Sequence, residues 1–247
     1  MITFYDIPSA LPGNAWSPNT WKTRYSLNYK EIPYKTEWVE YPDIESLCKK
    51  VGIPPTSKKK NGADHYTLPA IHDSSTGIAL AESKLIAEYL EKTYPNTPKL
   101  FPLGTEALQH AFLDAYSATL SAYWQFILPV TTTRLNPPSE EYFTRTRTEL
   151  FGKPLKDVPP TGEERVVEWK KLQDGFAVVN KWYEKNGRGP FIMGDTPSFA
   201  DFVVGAFTLF GKLIFTEDSE EWKDIASWNE GRWVKLVDSL EKYAQIV

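Results

Sequence analysis

Residues 66–94 constrain the fold of this chain more than any other segment. They begin with a short apolar run at 67–72, pass through the turn 73–77, and return as a second apolar run at 78–80. Because Asp, Ser and Thr side chains bond their own backbone and glycine tolerates positive φ, these pieces predict a β-hairpin. From Glu82 onward apolar residues recur at spacings of three and four, which indicates a helix packed directly behind the hairpin.

Two chemical features lie at the ends of this hairpin. Pro69 cannot donate to a sheet ladder, so it belongs at an edge or at a strand start, with a cis peptide bond as one option. Glu82 and Ser83 lie where strand passes into helix, and the free N–H groups of a helix start form an anion site beside that carboxylate and hydroxyl. The structural alternatives are a simple turn proline and plain helix capping.

The residues before the hairpin complete a small α/β unit. Ser17 followed by Pro18 is typical of a helix start, with serine as the N-cap and proline at the first helical position. The expected order over residues 2–94 is strand, helix, strand, helix, strand, strand, helix. The stretch 54–62 is interpreted as a polar, basic loop within it. This order, with a proline opening the third strand, is the thioredoxin-like pattern.

Beyond this unit the residues predict helices only. A long aromatic helix is expected from Glu106 to about Leu128, ended by Pro129. Ser198 and Asp201 form a hydroxyl-x-x-carboxylate capping box that opens an apolar helix. Further helices are expected at 140–151, 169–183 and 228–243.

The chain is therefore expected to fold as α/β plus all-α. A thioredoxin-like domain with a mixed four-stranded sheet would occupy residues 1–95, a linker 96–105, and a helical bundle 106–247.

Charge and cysteine content exclude several functions. The formal net charge of −4 argues against nucleic acid or an anionic membrane as the main partner. Cys48 is the single cysteine, so it has no partner for an internal disulfide. No apolar run approaches the roughly 18 residues of a spanning helix, no signal peptide precedes the first strand, and no metal-ligand spacing occurs. A cytoplasmic protein without a metal is expected.

Four motifs in a fixed order carry a resemblance to a known family. They are Ser17-Pro18-Asn19-Thr20, Leu68-Pro69-Ala70, Glu82-Ser83, and the stretch 194–201. Together they resemble the glutathione transferases over essentially the whole chain. More narrowly, residues 16–24 and the insert carrying Phe151-Gly-Lys-Pro resemble a fungal group related to the bacterial β-aryl etherases.

The resemblance implies roles for the hairpin residues and glutathione as co-substrate. Leu68 before a cis Pro69 would offer backbone hydrogen bonds to the cysteinyl part of glutathione, and Glu82 with Ser83 would hold its γ-glutamyl end. The glycyl carboxylate would meet a basic or polar residue of the loop before the hairpin. Lys59 and His65 are the candidates, although a charge run is more often only solvated.

Ser17 is the expected catalytic residue, with Asn19 as a second candidate. At the start of a helix, a hydroxyl donated to the glutathione sulfur would stabilise the thiolate, which is the nucleophile. A bare N-cap is the structural alternative. Relatives with cysteine at this position make mixed disulfides, which Ser17 cannot do, so conjugation or cleavage of an activated aryl ether is favoured.

A second, hydrophobic pocket is expected between Ser17 and the first long helix of the helical half. Its candidate lining residues are aromatic: Trp16, Tyr116, Tyr123, Trp124 and Phe126. For any single ring the alternative is a place in the core, but together they favour flat aromatic ligands. Three functions follow as hypotheses: a transferase, a ligandin that mainly binds aromatic small molecules, and a non-catalytic interaction module. The family resemblance also implies a homodimer.

Overall fold

The computed structural model describes residues 1–187 and 189–247. Its first part contains a sheet and three helices. The helices are α1 (Pro18–Tyr29), α2 (Ile44–Val51) and α3 (Ser83–Thr93). The strands are β1 (Ile2–Asp6), β2 (Tyr34–Trp38), β3 (Ser57–Lys58), β4 (Asp64–His65), β5 (Ala70–Asp73) and β6 (Ile78–Ala81).

The main sheet has the order β2-β1-β5-β6. Strand β1 pairs parallel with β2 and antiparallel with β5, and β5 pairs antiparallel with β6 across the predicted turn. The turn is held by Asp73, whose Oδ1 accepts from the Ser75 N–H at 2.9 Å. The predicted mixed four-stranded, thioredoxin-like sheet is confirmed.

The second part is all-helical in the residues that the structure describes. The helices there are α4 (Glu106–Thr119), α5 (Trp124–Thr131), α6 (Pro137–Phe151), α7 (Gly162–Glu184), α8 (Phe199–Phe215) and α9 (Glu220–Leu240). Helix α8 is buried over most of its length and packs against α1 of the first part. At that contact the Tyr25 and Phe202 rings stack with centroids 5.8 Å apart.

Three sequence expectations about these elements are wrong in detail. The basic loop before the hairpin contains the antiparallel pair β3 and β4, because Ser57 and His65 align in register across the loop. The predicted long aromatic helix is two helices, α4 and α5, separated by residues 120–123. Pro129 lies inside α5 instead of ending the aromatic stretch. The last helix begins at Glu220, earlier than expected, and is interrupted at 228–231 by backbone angles that are not helical.

The predicted capping box is present at the start of α8. Asp201 Oδ2 accepts hydrogen bonds from the Ser198 N–H at 2.9 Å and from the Ser198 hydroxyl at 2.8 Å. The other oxygen, Oδ1, accepts from the Tyr183 hydroxyl at 2.9 Å and from the Ile192 N–H at 2.8 Å. The box thus ties α7, the following loop and α8 together, which is a structural role.

Candidate functional site

One end of the main sheet gathers the motifs that the sequence singles out. Tyr5 pairs with Ala70, so in this antiparallel ladder the chain leaving β1 lies beside the chain entering β5. Ala70 also pairs with Ala81, which brings the start of α3 to the same end. There Glu82 donates its N–H to the carbonyl oxygen of Pro69 at 3.3 Å. The peptide bond before Pro69 is cis.

Ser17 is the N-cap of α1. Its backbone is extended (φ −66°, ψ 127°), and its carbonyl oxygen accepts from the Trp21 N–H at 3.0 Å. The Ser17 side chain makes no capping hydrogen bond. The residue is 3 % exposed and lines a cavity. Its hydroxyl is therefore not engaged at the helix start and can be donated to a ligand in this cavity.

Glu82 and Ser83 form the junction between β6 and α3. Glu82 has φ 80° and ψ 116°, a conformation that costs a non-glycine residue about 1–3 kcal/mol. The Glu82 side chain does not cap α3; its Oε1 accepts from the Ser83 hydroxyl at 3.2 Å. Plain capping by Glu82 therefore does not explain the pair. The backbone turns at a cost, and that turn places both side chains beside the helix N-terminus.

The cavity beside Ser17, here called the main cavity, has a volume of about 540 Å³. Predicted site residues from three segments meet in its wall. These are Trp16, Ser17 and Asn19 from the start of α1, Lys59, His65 and Leu68 from the hairpin region, and Trp124 from α5.

The second cavity, here called the side cavity, has a volume of about 380 Å³ and is lined by Glu82 and Ser83. Asn19 and Trp124 line both cavities. Lys22, one turn along α1, also lines the side cavity and donates to Asn19 Oδ1 at 3.0 Å. Burial lowers the pKa of Lys22 to about 8, partly opposed by the nearby Glu82 carboxylate. With its oxygen engaged by Lys22, the Asn19 amide presents its NH₂ group to a ligand.

Lys59 and His65 lie together at the loop side of the main cavity. Lys59 Nζ is 3.0 Å from Glu45 Oε2, while Glu45 Oε1 accepts from Lys49 at 2.8 Å. Hydrogen bonds from these two lysines lower the pKa of Glu45 to about 2. Burial, then the charges of Lys59 and Arg147, lowers the pKa of the His65 imidazole.

The predicted aromatic pocket residues are distributed over three places. Trp16 and Trp124 line the main cavity, whereas Tyr116 lines the side cavity with its hydroxyl buried and without a hydrogen-bond partner. Tyr123 is packed on α8, where a Cβ added at Gly211 would lie 2.5 Å from its oxygen. Phe126 is buried against Trp169, with ring centroids 4.9 Å apart. The structure thus places Tyr123 and Phe126 in the core, outside both cavities.

Sequence reasoning missed several residues of the cavity walls. In the main cavity they come from the segment after β2, from α6 and from α8: Tyr41, Tyr142, Phe143, Arg147 and Phe210. Tyr41 and Tyr142 stack with centroids 5.5 Å apart and an interplanar angle of 7°. The helical pattern of α6 could be recognised in the sequence. Which of its faces meets a cavity depends on tertiary packing.

Comparison with known families agrees with this geometry. The family model described as "Glutathione S-transferase, N-terminal domain" matches residues 16–93. The model described as "Glutathione S-transferase, C-terminal domain" matches residues 107–243. The chain belongs to the glutathione transferase family. The expected glutathione transferase activity is therefore supported at the level of the family.

Fungal relatives resemble this transferase over nearly its whole length. The glutathione S-transferase-like protein ustS of Aspergillus flavus is 36 % identical, over 95 % of this chain and 88 % of that protein. A Ceriporiopsis subvermispora glutathione S-transferase, whose crystal structure contains glutathione, is 47 % identical with a TM-score of 0.94. That comparison covers 100 % of this chain and 98 % of the other. For glutathione transferase GSTFuA3 of Phanerochaete chrysosporium the identity is 44 %, the TM-score 0.92 and the coverage 100 % and 98 %.

Cys48 of the transferase is predicted to be unreactive in the folded protein. The residue is fully buried on α2, and burial raises the pKa of its thiol to about 11. At pH 8 the thiolate fraction is then about 100-fold smaller than in an unfolded chain with an ordinary thiol pKa of about 9. We expect a disulfide reagent to label the denatured protein within minutes and the native protein at least about 100-fold more slowly. Rapid labelling of the native protein would show that Cys48 is accessible.

Two further observations concern membrane-spanning helices and potential metal ligands. Within residues 1–187 and 189–247 no helix has both the length and the apolar character needed to cross a membrane. The same residues include one group of three potential metal ligands, Glu88, Glu106 and His110. Glu106 is exposed, and none of the three lines the main cavity.

Proposed function

We propose that this transferase uses the Ser17 hydroxyl to hold the glutathione sulfur as a thiolate and transfers it to hydrophobic aromatic electrophiles. The observation that carries this proposal is the free Ser17 hydroxyl. It makes no capping bond at the helix start and lies in the wall of the main cavity with Leu68. Donation of this O–H to sulfur, together with the positive end of α1, favours the anionic form of the thiol.

The two cavities suit the two ends of glutathione. The γ-glutamyl end has a carboxylate and an ammonium group, for which the side cavity offers Ser83 and Lys22 on one hand and Glu82 on the other. The cysteinyl backbone would pair with the strand start at Leu68 and Pro69. The glycyl carboxylate would then point to the loop side of the main cavity, which holds Lys59 and His65.

The aromatic wall of the main cavity suits a flat second substrate. Its volume of about 540 Å³ lies within the usual range for small-molecule sites, roughly 300–1,000 Å³. Trp16 directly precedes Ser17 in the sequence, Trp124 lines the same cavity, and Tyr142 and Phe143 extend the wall along α6. Such rings bind aromatic ligands by stacking and edge contacts.

Two reactions follow from a thiolate held in this cavity. In conjugation the sulfur forms a bond to an activated aromatic carbon, and halide leaves with the bond electrons. In ether cleavage the sulfur bonds to the carbon next to a carbonyl, and the aryl ether oxygen leaves as a phenolate. The second reaction is the one that the etherase-like features of residues 16–24 favour. Neither step consumes an oxidant or a reductant.

The proposal is tested by mixing the protein with glutathione and a chromogenic aryl halide or a phenacyl aryl ether. The expected result is turnover, with the thiol of bound glutathione ionising near pH 6.5 in an ultraviolet difference titration. If hydroxylated aromatics quench the tryptophan fluorescence tightly but no electrophile turns over, the protein acts as a ligandin. If the bound thiol ionises at the pKa of free glutathione, serine activation is wrong.

The homodimer, the cytoplasmic location and the linker at 96–105 stay predictions. Analytical ultracentrifugation tests the first of them, with a single species of twice the chain mass expected.

A further inference from the structure

The charged side chains in the main cavity wall are unequally partnered. They are Glu45, Lys59 and Arg147. Lys59 is bound to Glu45, and Glu45 is shared with Lys49 on its exposed side. The Glu45 carboxylate is therefore already paired with Lys59 and Lys49. Arg147 remains as a positive charge that the wall itself does not neutralise.

Arg147 is held in place by aromatic rings and by the hydroxyls of Thr146 and Tyr41. Its guanidinium carbon lies 4.2 Å from the ring centroid of Phe143 and 5.6 Å from that of Tyr41. One nitrogen, Nη1, donates to the Thr146 hydroxyl at 2.8 Å. Among the residues that the structure describes, no carboxylate lies within 4.0 Å of this guanidinium. Most of its five N–H groups are thus free to bind a ligand.

A guanidinium in this setting selects a particular chemistry. Its planar fork matches a carboxylate, and the rings fix it in position so that little conformational entropy is lost on binding. Arg147 is half-buried, so its attraction for an anion is stronger than that of a fully exposed guanidinium. A neutral aromatic ligand would leave these N–H groups without partners.

We propose that Arg147 binds an oxyanion, a carboxylate or an ionised phenol, carried by the aromatic second substrate. This inference rests on the proposed function, because it names the substrate class for the same cavity. Arg147 would thus be a specificity-determining residue: acidic aromatic electrophiles react in preference to their neutral counterparts.

The glycyl carboxylate of glutathione is the other possible source of the same chemistry. Its expected place is the loop side, where Lys59 and His65 lie. Arg147 belongs instead to α6 of the helical half and lies beside the stacked Tyr41 and Tyr142 rings, although its charge also acts on His65. The second substrate is therefore the favoured source, and kinetics separate the two.

The experiment compares two electrophiles of nearly equal shape, the para-chloro, meta-dinitro derivatives of benzoate and of benzamide. The measured quantity is the acid-to-amide ratio of kcat/KM, in which the different intrinsic reactivities cancel between variants. Arg147→Gln is expected to lower this ratio by about 10- to 100-fold, as for a lost hydrogen bond to a charged group. Arg147→Lys keeps the positive charge but lacks the planar, two-pronged guanidinium. Its acid-to-amide ratio should lie between those of the wild type and Arg147→Gln.

Arg145→Gln is the matched control. Arg145 lies on the same helix, is exposed, pairs with Glu149 at 3.6 Å and is outside the main cavity wall. The Arg145→Gln substitution removes the same charge from the protein. An equal fall in the acid-to-amide ratio would therefore mean that long-range electrostatics, and not contact with Arg147, causes the preference for the acid. That result would overturn the proposal.

Two other outcomes are decisive. If Arg147→Gln raises KM for glutathione and leaves the acid-to-amide ratio unchanged, Arg147 binds the glycyl carboxylate and the proposal is wrong. If the wild type turns over neither compound and also no phenacyl aryl ether, the proposed function fails. The Arg147 inference is then decided by calorimetry. The ratio of the two Kd values, acid against amide, should change in Arg147→Gln and stay unchanged in Arg145→Gln.

Discussion

Replacing Ser17 by alanine is expected to raise the pKa of the enzyme-bound glutathione thiol from about 6.5 to about 8, while a free thiol ionises near 8.5. The full difference of two between the bound and the free thiol corresponds to about 2.7 kcal/mol. A hydrogen bond to a charged group supplies about 1.5–3 kcal/mol, and the helix N-terminus about 0.3–1 kcal/mol. The hydroxyl is therefore the larger contribution, and alanine removes it while α1 remains.

The kinetic consequence depends on pH in a specific way. At pH 6.5 the thiolate fraction falls from about one half to about 3 %, a loss of about 16-fold. The more basic thiolate is intrinsically about 4- to 6-fold more nucleophilic, so the expected loss in kcat/KM is only about 3- to 4-fold. The deficit should vanish near pH 7.4 and reverse toward pH 9, where both thiols are mostly ionised. The measurements are an ultraviolet titration of the complex and a pH profile with an aryl halide.

Two variants control for effects unrelated to the sulfur. Ser17→Thr keeps the hydroxyl and should keep a low thiol pKa. Ser26→Ala makes the same chemical change on the same helix, at a hydroxyl that donates to the Lys22 carbonyl oxygen at 2.7 Å. It should leave the thiol pKa unchanged. If the thiol pKa is unaltered in Ser17→Ala, the assignment of Ser17 as the residue that stabilises the thiolate is wrong. Asn19 would then be tested in the same way.

A cysteine at position 17 tests the placement of the sulfur separately. Ser17→Cys incubated with glutathione disulfide should form a mixed disulfide between residue 17 and one glutathione, releasing the other as thiol. Mass spectrometry would show the added glutathione. Because Cys48 is buried, the wild type should remain unmodified under the same conditions. If the Ser17→Cys protein gains no glutathione, the sulfur of bound glutathione does not lie next to residue 17.

The largest expected effect on stability comes from Arg24. This side chain is fully buried, and its Nη2 lies 2.8 Å from Oδ2 of the equally buried Asp6. Its Nη1 donates to the Tyr34 hydroxyl and to the Thr36 hydroxyl, both at 3.2 Å. Arg24→Met leaves a carboxylate buried without its counter-ion. We expect the free energy of unfolding to fall by about 3–5 kcal/mol and Tm to fall by about 6–20 °C.

A double-mutant cycle separates the ion pair from general packing. Asp6→Asn combined with Arg24→Met removes both charges, and it should be more stable than Arg24→Met alone. Arg145→Met is the surface control: the Arg145–Glu149 pair is exposed, and its loss should cost less than about 1 kcal/mol. Equal costs for Arg24→Met and Arg145→Met would mean that burial of the pair is unimportant.

The Arg24→Met variant should also show a distinctive pH dependence. Burial raises the pKa of Asp6, and the charge of Arg24 opposes that shift. Without Arg24, the folded state holds a proton on Asp6 at pH values where the unfolded chain has released it. The folded state then binds more protons, so the variant loses stability as pH rises from about 4. The difference in the free energy of unfolding between the wild type and Arg24→Met should therefore be smallest near pH 4, as measured by urea unfolding.

The fold could be predicted from the sequence because its signals are local. The turn residues at 73–77, the switch from alternation to helical spacing near Glu82, and the Ser198–Asp201 capping box act within a few residues. Such patterns specify a mixed sheet followed by helices. The errors occurred where local signals conflict with packing: Pro129 is a breaker by rule yet lies inside α5. The break at 120–123 has no glycine or proline to announce it.

By itself the sequence determined the residue types and their order: Ser17 at a helix start, Leu68 before Pro69, Glu82 before Ser83. Only the tertiary structure decided which of them share a wall, because antiparallel pairing of β1, β5 and β6 brings together residues more than 50 positions apart. The tertiary structure also decided which side chains face a cavity. Tyr123 and Phe126 lie in the core, whereas Tyr142, Phe143 and Arg147 line the main cavity. The physical reason is that helical periodicity defines a buried face without saying what that face is buried against.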